Sequence, residues 1–455
     1  MTVTEAKPFG WRFTTPLLLG STLNPINSSL LATGLVGIGV DFHTGPGTTA
    51  TLISVLYLCS AIMQPTMGKL STIFGPRRVF LTGIAILFIA GVIGVLAPSF
   101  GFLVLSRALI GVGTSAAYPT AMAMVRRRAD GLGMGVPSRV LGNFSIAAQV
   151  TAVIGLPLGG ILVTPFGWRA LFFVNIPLAV VTFVLTLIGV QKQERPERTA
   201  SWLRAVDIPG ILLFAATIAA LLVFLSNLSA PLWWLVPVIL VLGAAMIVWE
   251  RRSKSPLIDV RMLGANRPLQ RTYLRQTLVS LANYTALYGV SQWMEQSAGL
   301  TPSQVGLVLI PLSAFSIVIA RIVSVRGWVR WPLLLASVAL LATAAVLLVV
   351  TRDSSVFLLL LMSVLFGFTN GLSGFANQAT LYVQSPAEEI AVASGLYRTF
   401  SYIGAIFSSS LIGIAFGTRA TDGGLHTVAW VVAALGAAVL LLTAVDRRIP
   451  WRANP

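Results

Sequence analysis

The chain has 455 residues, of which 56% are hydrophobic and only 10% charged, and it carries a formal net charge of +17. Soluble domains hold roughly a quarter of their residues as charges, so a water-soluble enzyme is excluded and a polytopic membrane protein is indicated. The basic residues are spread over many short segments instead of forming one face, which excludes a nucleic-acid partner.

A hydrocarbon core about 30 Å thick takes roughly 20 apolar residues per helix. Runs of that length predict an all-α integral membrane protein with 14 transmembrane helices, at residues 14–39, 48–67, 79–97, 101–125, 140–165, 169–190, 207–226, 231–249, 272–295, 302–320, 332–350, 355–383, 390–416 and 426–445. Spans 7 and 8 are joined by the short turn SNLSAPLWW, and span 9 opens with Arg271 and Arg275. With both termini cytoplasmic, only Arg169, Arg352 and Arg419 fall on the outer side and only Arg107, Arg275 and Arg398 within spans. The rest of the 31 Lys and Arg lie on the inner side, as the positive-inside rule requires of a multi-pass protein of the cell membrane. The N-terminus MTVTEAKPFGWRF lacks a cleavable signal pattern, so span 1 is expected to be retained. A single cysteine, Cys59, rules out an intramolecular disulfide, and the two isolated histidines, His43 and His426, are expected to be loop residues, not metal ligands.

An internal repeat organises the spans. GKLSTIFGPRR from Gly68 and ARIVSVRGWVR from Ala320 share the order small residue, cation, aliphatic, hydroxyl, Gly and Arg, each after a span running from outside to inside. Span 2 is thereby equivalent to span 10. The expected organisation is a six-helix half at 1–190, linker loops and two inserted helices at 191–271, and a second six-helix half at 272–455.

These segments resemble those of the major facilitator superfamily, and within it the fourteen-span drug:proton antiporters. GKLSTIFGPRR looks like the family's signature between spans 2 and 3, with Gly68, Lys69, Thr72, Gly75, Arg77 and Arg78 as the gating loop. SRALIGVGTSAAYP resembles its span 4 motif, with Arg107, and GLPLGGILVTPFGWRALFFVNIP resembles its span 5 antiporter motif, with Gly155, Pro157, Gly159 and Gly160. SPLIDVRML and GLTPSQVGLVLIP are similar to the segments around the start of spans 9 and 10. The resemblance implies two six-helix halves rocking around a midplane cavity. The loop cations either only anchor topology or also latch one state of that cycle; the glycines either serve ordinary close packing or a role specific to antiport.

Two departures stand out. Thr72 occupies the place of the signature's Asp, where it can cap a helix but carries no charge. Asn24 stands where many such antiporters have an Asp in span 1, and with Pro25, Asn27, Ser28 and Ser29 it makes a polar stretch assigned to the cavity, since such residues rarely face lipid. Further cavity candidates are Asn283, Tyr284, Tyr288 and Gln292 along one face of span 9, Asn370 and Asn377 in span 12, and Arg398 in span 13. Asp207 and Glu250 stand at the inner edges of spans and Glu295 at the outer end of span 9, which makes Glu295 the first proton-coupling candidate and Asp41 the second. No phosphate-binding loop, zinc-protease motif or nucleotide-sized soluble domain is found, so no enzyme activity and no cofactor are expected. The function expected is export of amphiphilic drugs or small organic molecules by proton antiport, conferring antibiotic resistance, with the protein as a monomer. The alternative is an exporter or facilitator of an anionic metabolite or lipid-like compound, with Arg107 as its anchor.

Overall fold

A computed structural model describes residues 9–44, 46–191, 206–228, 230–300, 302–417 and 419–453. In chain order the helices are α1 (Trp11–Leu31), α2 (Leu35–Asp41), α3 (Pro46–Phe74), α4 (Pro76–Val95), α5 (Phe100–Ser115), α6 (Ala117–Asp130), α7 (Ser138–Phe166), α8 (Ala170–Phe173), α9 (Asn175–Gly189), α10 (Ile208–Ser226), α11 (Leu235–Arg252), α12 (Val260–Ala265), α13 (Arg267–Gln296), α14 (Pro302–Arg326), α15 (Arg330–Val349), α16 (Val356–Gln384), α17 (Ile390–Phe416) and α18 (Asp422–Val445). Among the described residues the one extended pairing is an isolated bridge between Trp328 and Arg452.

Among the described residues, ten segments are long and apolar enough to cross a membrane. The chain is also helical at the other four expected positions, where composition or continuity differs. The first is broken between α1 and α2 by a 3₁₀ turn at Ala32–Gly34, and α11 ends in Glu250, Arg251 and Arg252. The α13 helix starts earlier than its apolar run, with Arg267, Arg271 and Arg275 in its opening turns. Thirty residues rise about 45 Å, so α13 exceeds a hydrocarbon core by several turns.

The chain divides into two compact units. One comprises Met1–Val136, Ala147–Ile211 and Pro386–Leu396; the other comprises Pro137–Ile146, Leu212–Ser385 and Tyr397–Pro455. Thus α7 begins with the second unit and continues in the first, and the opening of α17 belongs to the first. In the second unit, Ala286, Val290 and Trp293 of α13 pack with Leu312 of α14, Leu340 of α15, Phe366 of α16 and Val428 of α18. Exposed Leu187 and Ile188 on α9, Leu240 and Val241 on α11 and Leu335 and Val338 on α15 present the apolar surface that a bilayer covers.

The two repeated segments adopt the same local structure. Gly75 ends α3 at φ 88° and Gly327 ends α14 at φ 63°, the left-handed region that glycine enters without a Cβ penalty. Before each glycine, a hydroxyl donates three residues back along its own helix: Thr72 to the Lys69 carbonyl at 2.8 Å and Ser324 to the Arg321 carbonyl at 3.0 Å. Thr72, which could cap a helix, does not cap the next one: Gly75 occupies that N-cap without a side-chain bond.

Candidate functional site

In the first unit, Pro25 sits inside α1 and the polar stretch around it folds inward. The Asn24 amide donates to the hydroxyls of Ser60 on α3, at 2.8 Å, and Thr114 on α5, at 2.9 Å. Asn27 donates to the side-chain oxygen of Asn175 on α9 at 2.6 Å and to the Leu23 carbonyl at 2.8 Å. Ser28 and Ser29 bond back to the carbonyls of Asn24 and Pro25. Arg107, 2% exposed, donates from Nε to the Leu52 carbonyl at 3.1 Å and from both terminal nitrogens to the Asn27 carbonyl at 3.3 Å. A buried cation is tolerated when its donors are matched, and here main-chain oxygens of α1 and α3 match them. Asn24, Asn27 and Arg107 thus knit α1 to α3, α5 and α9.

The second unit holds a longer network. Asn283 donates to Asn370 at 3.1 Å, and the Tyr284 and Tyr288 rings stack at 5.6 Å. Tyr288 and Gln292, one and two turns on from Tyr284, are exposed, while Ala286, Val290 and Trp293 on the opposite side of α13 are buried. Asn377 accepts from Arg275 Nε at 2.7 Å and donates to Gln276 at 3.2 Å; Gln276 in turn accepts from the Tyr397 hydroxyl at 2.6 Å and donates to Ser401 at 2.7 Å. Arg398, beside Tyr397 on α17, is half-buried.

Sequence reasoning missed the anchor of this network. Arg275 and Asp446 are both fully buried and pair at 3.8 Å, Arg271 reaches the other oxygen of Asp446 at 3.2 Å, and Arg275 also donates to Thr272 at 3.0 Å. The signal available was Arg271 and Arg275 one turn apart at the start of one helix, and a lone acid just past the end of another.

The gating and antiporter glycines mark close helix approaches. A Cβ on Gly68 would lie 2.6 Å from the Ala391 carbonyl oxygen at the start of α17, and one on Gly395 would lie 2.6 Å from the Pro65 Cα. Gly155 and Gly159 of α7 pack on Ser29 and on Leu30 and Thr33, whereas a Cβ on Gly160 would meet no atom within 4 Å. The Pro157 side chain lies outside the described residues. Arg77 donates to the Leu187 carbonyl at 3.4 Å and Arg78 is exposed.

The acids occupy helix ends. Asp41 accepts from Trp168 Nε1 at 2.8 Å and from Arg169 at 3.4 Å. Asp422 accepts from Trp293 Nε1 at 2.8 Å and from the Arg352 main chain at 3.2 Å. Glu295 is exposed in the last turn of α13. His426, expected in a loop, instead lies in α18 with its Nε2 3.0 Å from the Val350 carbonyl oxygen. Among the described residues, no group of three metal-ligating side chains occurs.

Comparison with known proteins gives this helical scaffold its place. An MFS-type transporter of Bacillus subtilis, YwoD, whose function is uncharacterised, is 31% identical over 94% of this chain and 95% of its own. The lincomycin resistance protein of Streptomyces lincolnensis is 29% identical over 95% of this chain and 90% of its own. The crystal structure of the human organic anion transporter MFSD10 superposes with a TM-score of 0.68 at 15% identity, covering 95% of this chain and 99% of that one, a likeness of fold. The Major Facilitator Superfamily profile matches residues 17–209 and 272–455, and the chain belongs to that superfamily of membrane transporters.

Proposed function

We propose that this protein exports amphiphilic, ring-bearing organic molecules, antibiotics among them, by proton antiport. The observation that carries the reading is the face of α13 on which the stacked Tyr284 and Tyr288 and then Gln292 follow one another at one-turn spacing, with Asn283 next to Tyr284 and with Tyr288 and Gln292 open. Aromatic faces joined to amide groups suit a substrate that is part ring and part polar. Asn370 and Arg398 are its polar neighbours in the proposal, and Asn377 supports it through Gln276. The lincomycin resistance relative supports the choice of substrate class. Arg107 does not favour the anionic alternative, because its donors already meet main-chain carbonyls.

In this reading the chain has fourteen spans as two six-helix halves, 1–190 and 272–455, with two helices inserted in the 191–271 stretch, both termini cytoplasmic, and works as a monomer by alternating access. Gly68, Lys69, Thr72, Gly75, Arg77 and Arg78 serve the gate, and Gly155, Pro157, Gly159 and Gly160 form the antiporter helix. Glu295 couples protons because it lies on the substrate helix, one turn beyond Gln292, with Asp41 as the second candidate.

The test is flux in proteoliposomes with an acidic interior, following ethidium and internal pH together in wild type and Glu295→Gln. Dye entry with proton loss in wild type, and dye movement without proton loss in the variant, is the expected result. Ethidium flux that keeps its proton stoichiometry in the variant removes Glu295 from the mechanism, and the absence of both fluxes in folded protein removes drug antiport.

A further inference from the structure

The seam between α4 and α9 in the first unit has an open outer face. It forms a groove of about 330 Å³ lined by Ile84, Ala85 and Phe88 on α4 and Val180, Phe183 and Val184 on α9, with almost no polar surface. At one end of the seam stand two arginines. Arg77 bridges from α4 to the Leu187 carbonyl of α9 with one terminal nitrogen at 3.4 Å, its buried Nε has no hydrogen-bond partner, and Arg78 beside it is exposed. None of α3, α4 or α9 carries a carboxylate, and neither arginine forms a salt bridge among the described residues. The first turn of α4, without a side-chain cap or an acid, adds its own positive end to theirs.

The second unit shows what such a seam needs for structure alone. There Arg330, in the first turn of α15, donates to the Ala444 carbonyl of α18 at 3.4 Å and its guanidinium lies 5.0 Å from the centre of the Trp451 ring. One arginine with an aromatic cover closes that seam. The first unit repeats the clasp with Arg77 and adds Arg78 and an apolar groove, neither of which the clasp requires.

We propose that this seam is a binding site for an anionic phospholipid, with the phosphate against Arg77, Arg78 and the first turn of α4 and one acyl chain in the groove. The depths agree: Ile84 lies about 10 Å and Phe88 about 16 Å along α4 from Arg77 at 1.5 Å per residue, and a leaflet's acyl chains reach about 15 Å to the bilayer midplane. A free phosphate satisfies the arginines but leaves the groove unused, and a zwitterionic lipid fills the groove but offers the arginines no net charge.

Native mass spectrometry of the full chain released from nanodiscs of equal phosphatidylglycerol and phosphatidylcholine tests the site. Wild type is expected to retain phosphatidylglycerol selectively. Each cation near an anionic leaflet strengthens association about fivefold, so Arg78→Gln, which leaves the Arg77 clasp intact, is expected to lower retention about fivefold. The double variant Arg77→Gln/Arg78→Gln is expected to lower it roughly thirtyfold. Ala85→Trp, which fills the groove and leaves both arginines, is expected to lower it as well, whereas 10 mM inorganic phosphate is expected not to displace the lipid. Unchanged retention in Arg78→Gln or Ala85→Trp protein with wild-type melting, equal retention of phosphatidylcholine, or displacement by phosphate each overturns the proposal.

Discussion

Neutralising Asp446 tests whether the polar network of the second unit is held by charge. Its carboxylate and the Arg275 guanidinium are both fully buried and 3.8 Å apart, which at an effective dielectric of 20 corresponds to about 4 kcal/mol of attraction. Asp446→Asn keeps the shape and removes the charge. Arg275 retains Asn377 at 2.7 Å and Thr272 at 3.0 Å, so the loss falls below that of a wholly stranded ion, to about 3 kcal/mol. Arg271, more than a third exposed, relaxes into the interface and adds little. Arg275→Met strands the carboxylate instead, but with Arg271 still 3.2 Å away its cost is about 2 kcal/mol. When both are replaced, no uncompensated charge remains buried, and the double variant regains much of the loss, with a coupling of about 2–3 kcal/mol. Reversible unfolding in mixed micelles by titration with sodium dodecyl sulfate measures all four proteins of the cycle. Additivity within about 0.5 kcal/mol, or a single-variant loss below about 1 kcal/mol, refutes the reasoning and makes the neutral hydrogen bonds the source of the network's stability.

Gly68→Ala brings a methyl within 2.6 Å of the Ala391 carbonyl oxygen, which cannot move without its helix; it is expected to destabilise by about 1–3 kcal/mol and to slow flux, whereas Gly160→Ala, with open space at the Cβ position, is expected to stay within about 0.5 kcal/mol of wild type. Trp293→Phe removes the 2.8 Å bond from a fully buried indole to Asp422 and is expected to cost about 1–2 kcal/mol. Trp168→Phe removes the matching bond from a likewise buried indole to Asp41 and is expected to cost about as much, about 1–2 kcal/mol; a loss confined to one of the two variants contradicts the equivalence of the two bonds. Asn24→Ala leaves the Ser60 and Thr114 hydroxyls without their shared donor and is expected to cost about 1 kcal/mol by the same titration, the usual scale for polar contacts between membrane helices.

The helices were legible because each apolar run declares itself within about 20 residues, and their charged ends follow from the same rule that keeps cations out of hydrocarbon. The repeat was legible for a similar reason: a glycine with positive φ and the hydroxyl before it are local features, and Thr72 and Ser324 prove to make the same bond. Partners were not. Nothing near Asn24 names Ser60 or Thr114, and nothing near Asp446 names Arg275, since these pairs depend on which helices of a unit become neighbours. Arg107 shows the limit most clearly. A buried cation in a span reads as a candidate for anion binding, but main-chain carbonyls of α1 and α3 satisfy it equally well, and a backbone acceptor leaves no mark in composition.

In each unit one set of helices is tied at both ends: α1 and α2 with α9 in the first unit, and α13 with α18 in the second. At one end of each, an indole donates to a carboxylate at 2.8 Å: in the first unit Trp168 precedes α8 and α9 and Asp41 ends α2, and in the second unit Trp293 lies near the end of α13 and Asp422 begins α18. The donor and acceptor have changed sides while the bond is kept, so the constraint acts on the helix pair and not on either residue. At the other end the solutions diverge. Gly189 of α9 packs directly against the Arg12 main chain of α1, which brings the helices to backbone contact without charge, whereas Asp446 after α18 receives Arg271 and Arg275 of α13. A glycine contact is short-ranged and lost with a small separation, while an ion pair falls off slowly with distance. The second unit therefore tolerates a small parting of α13 and α18 at this end with less loss of attraction than the first unit does for α1 and α9, and it is this unit whose α13 carries the open tyrosine and glutamine face.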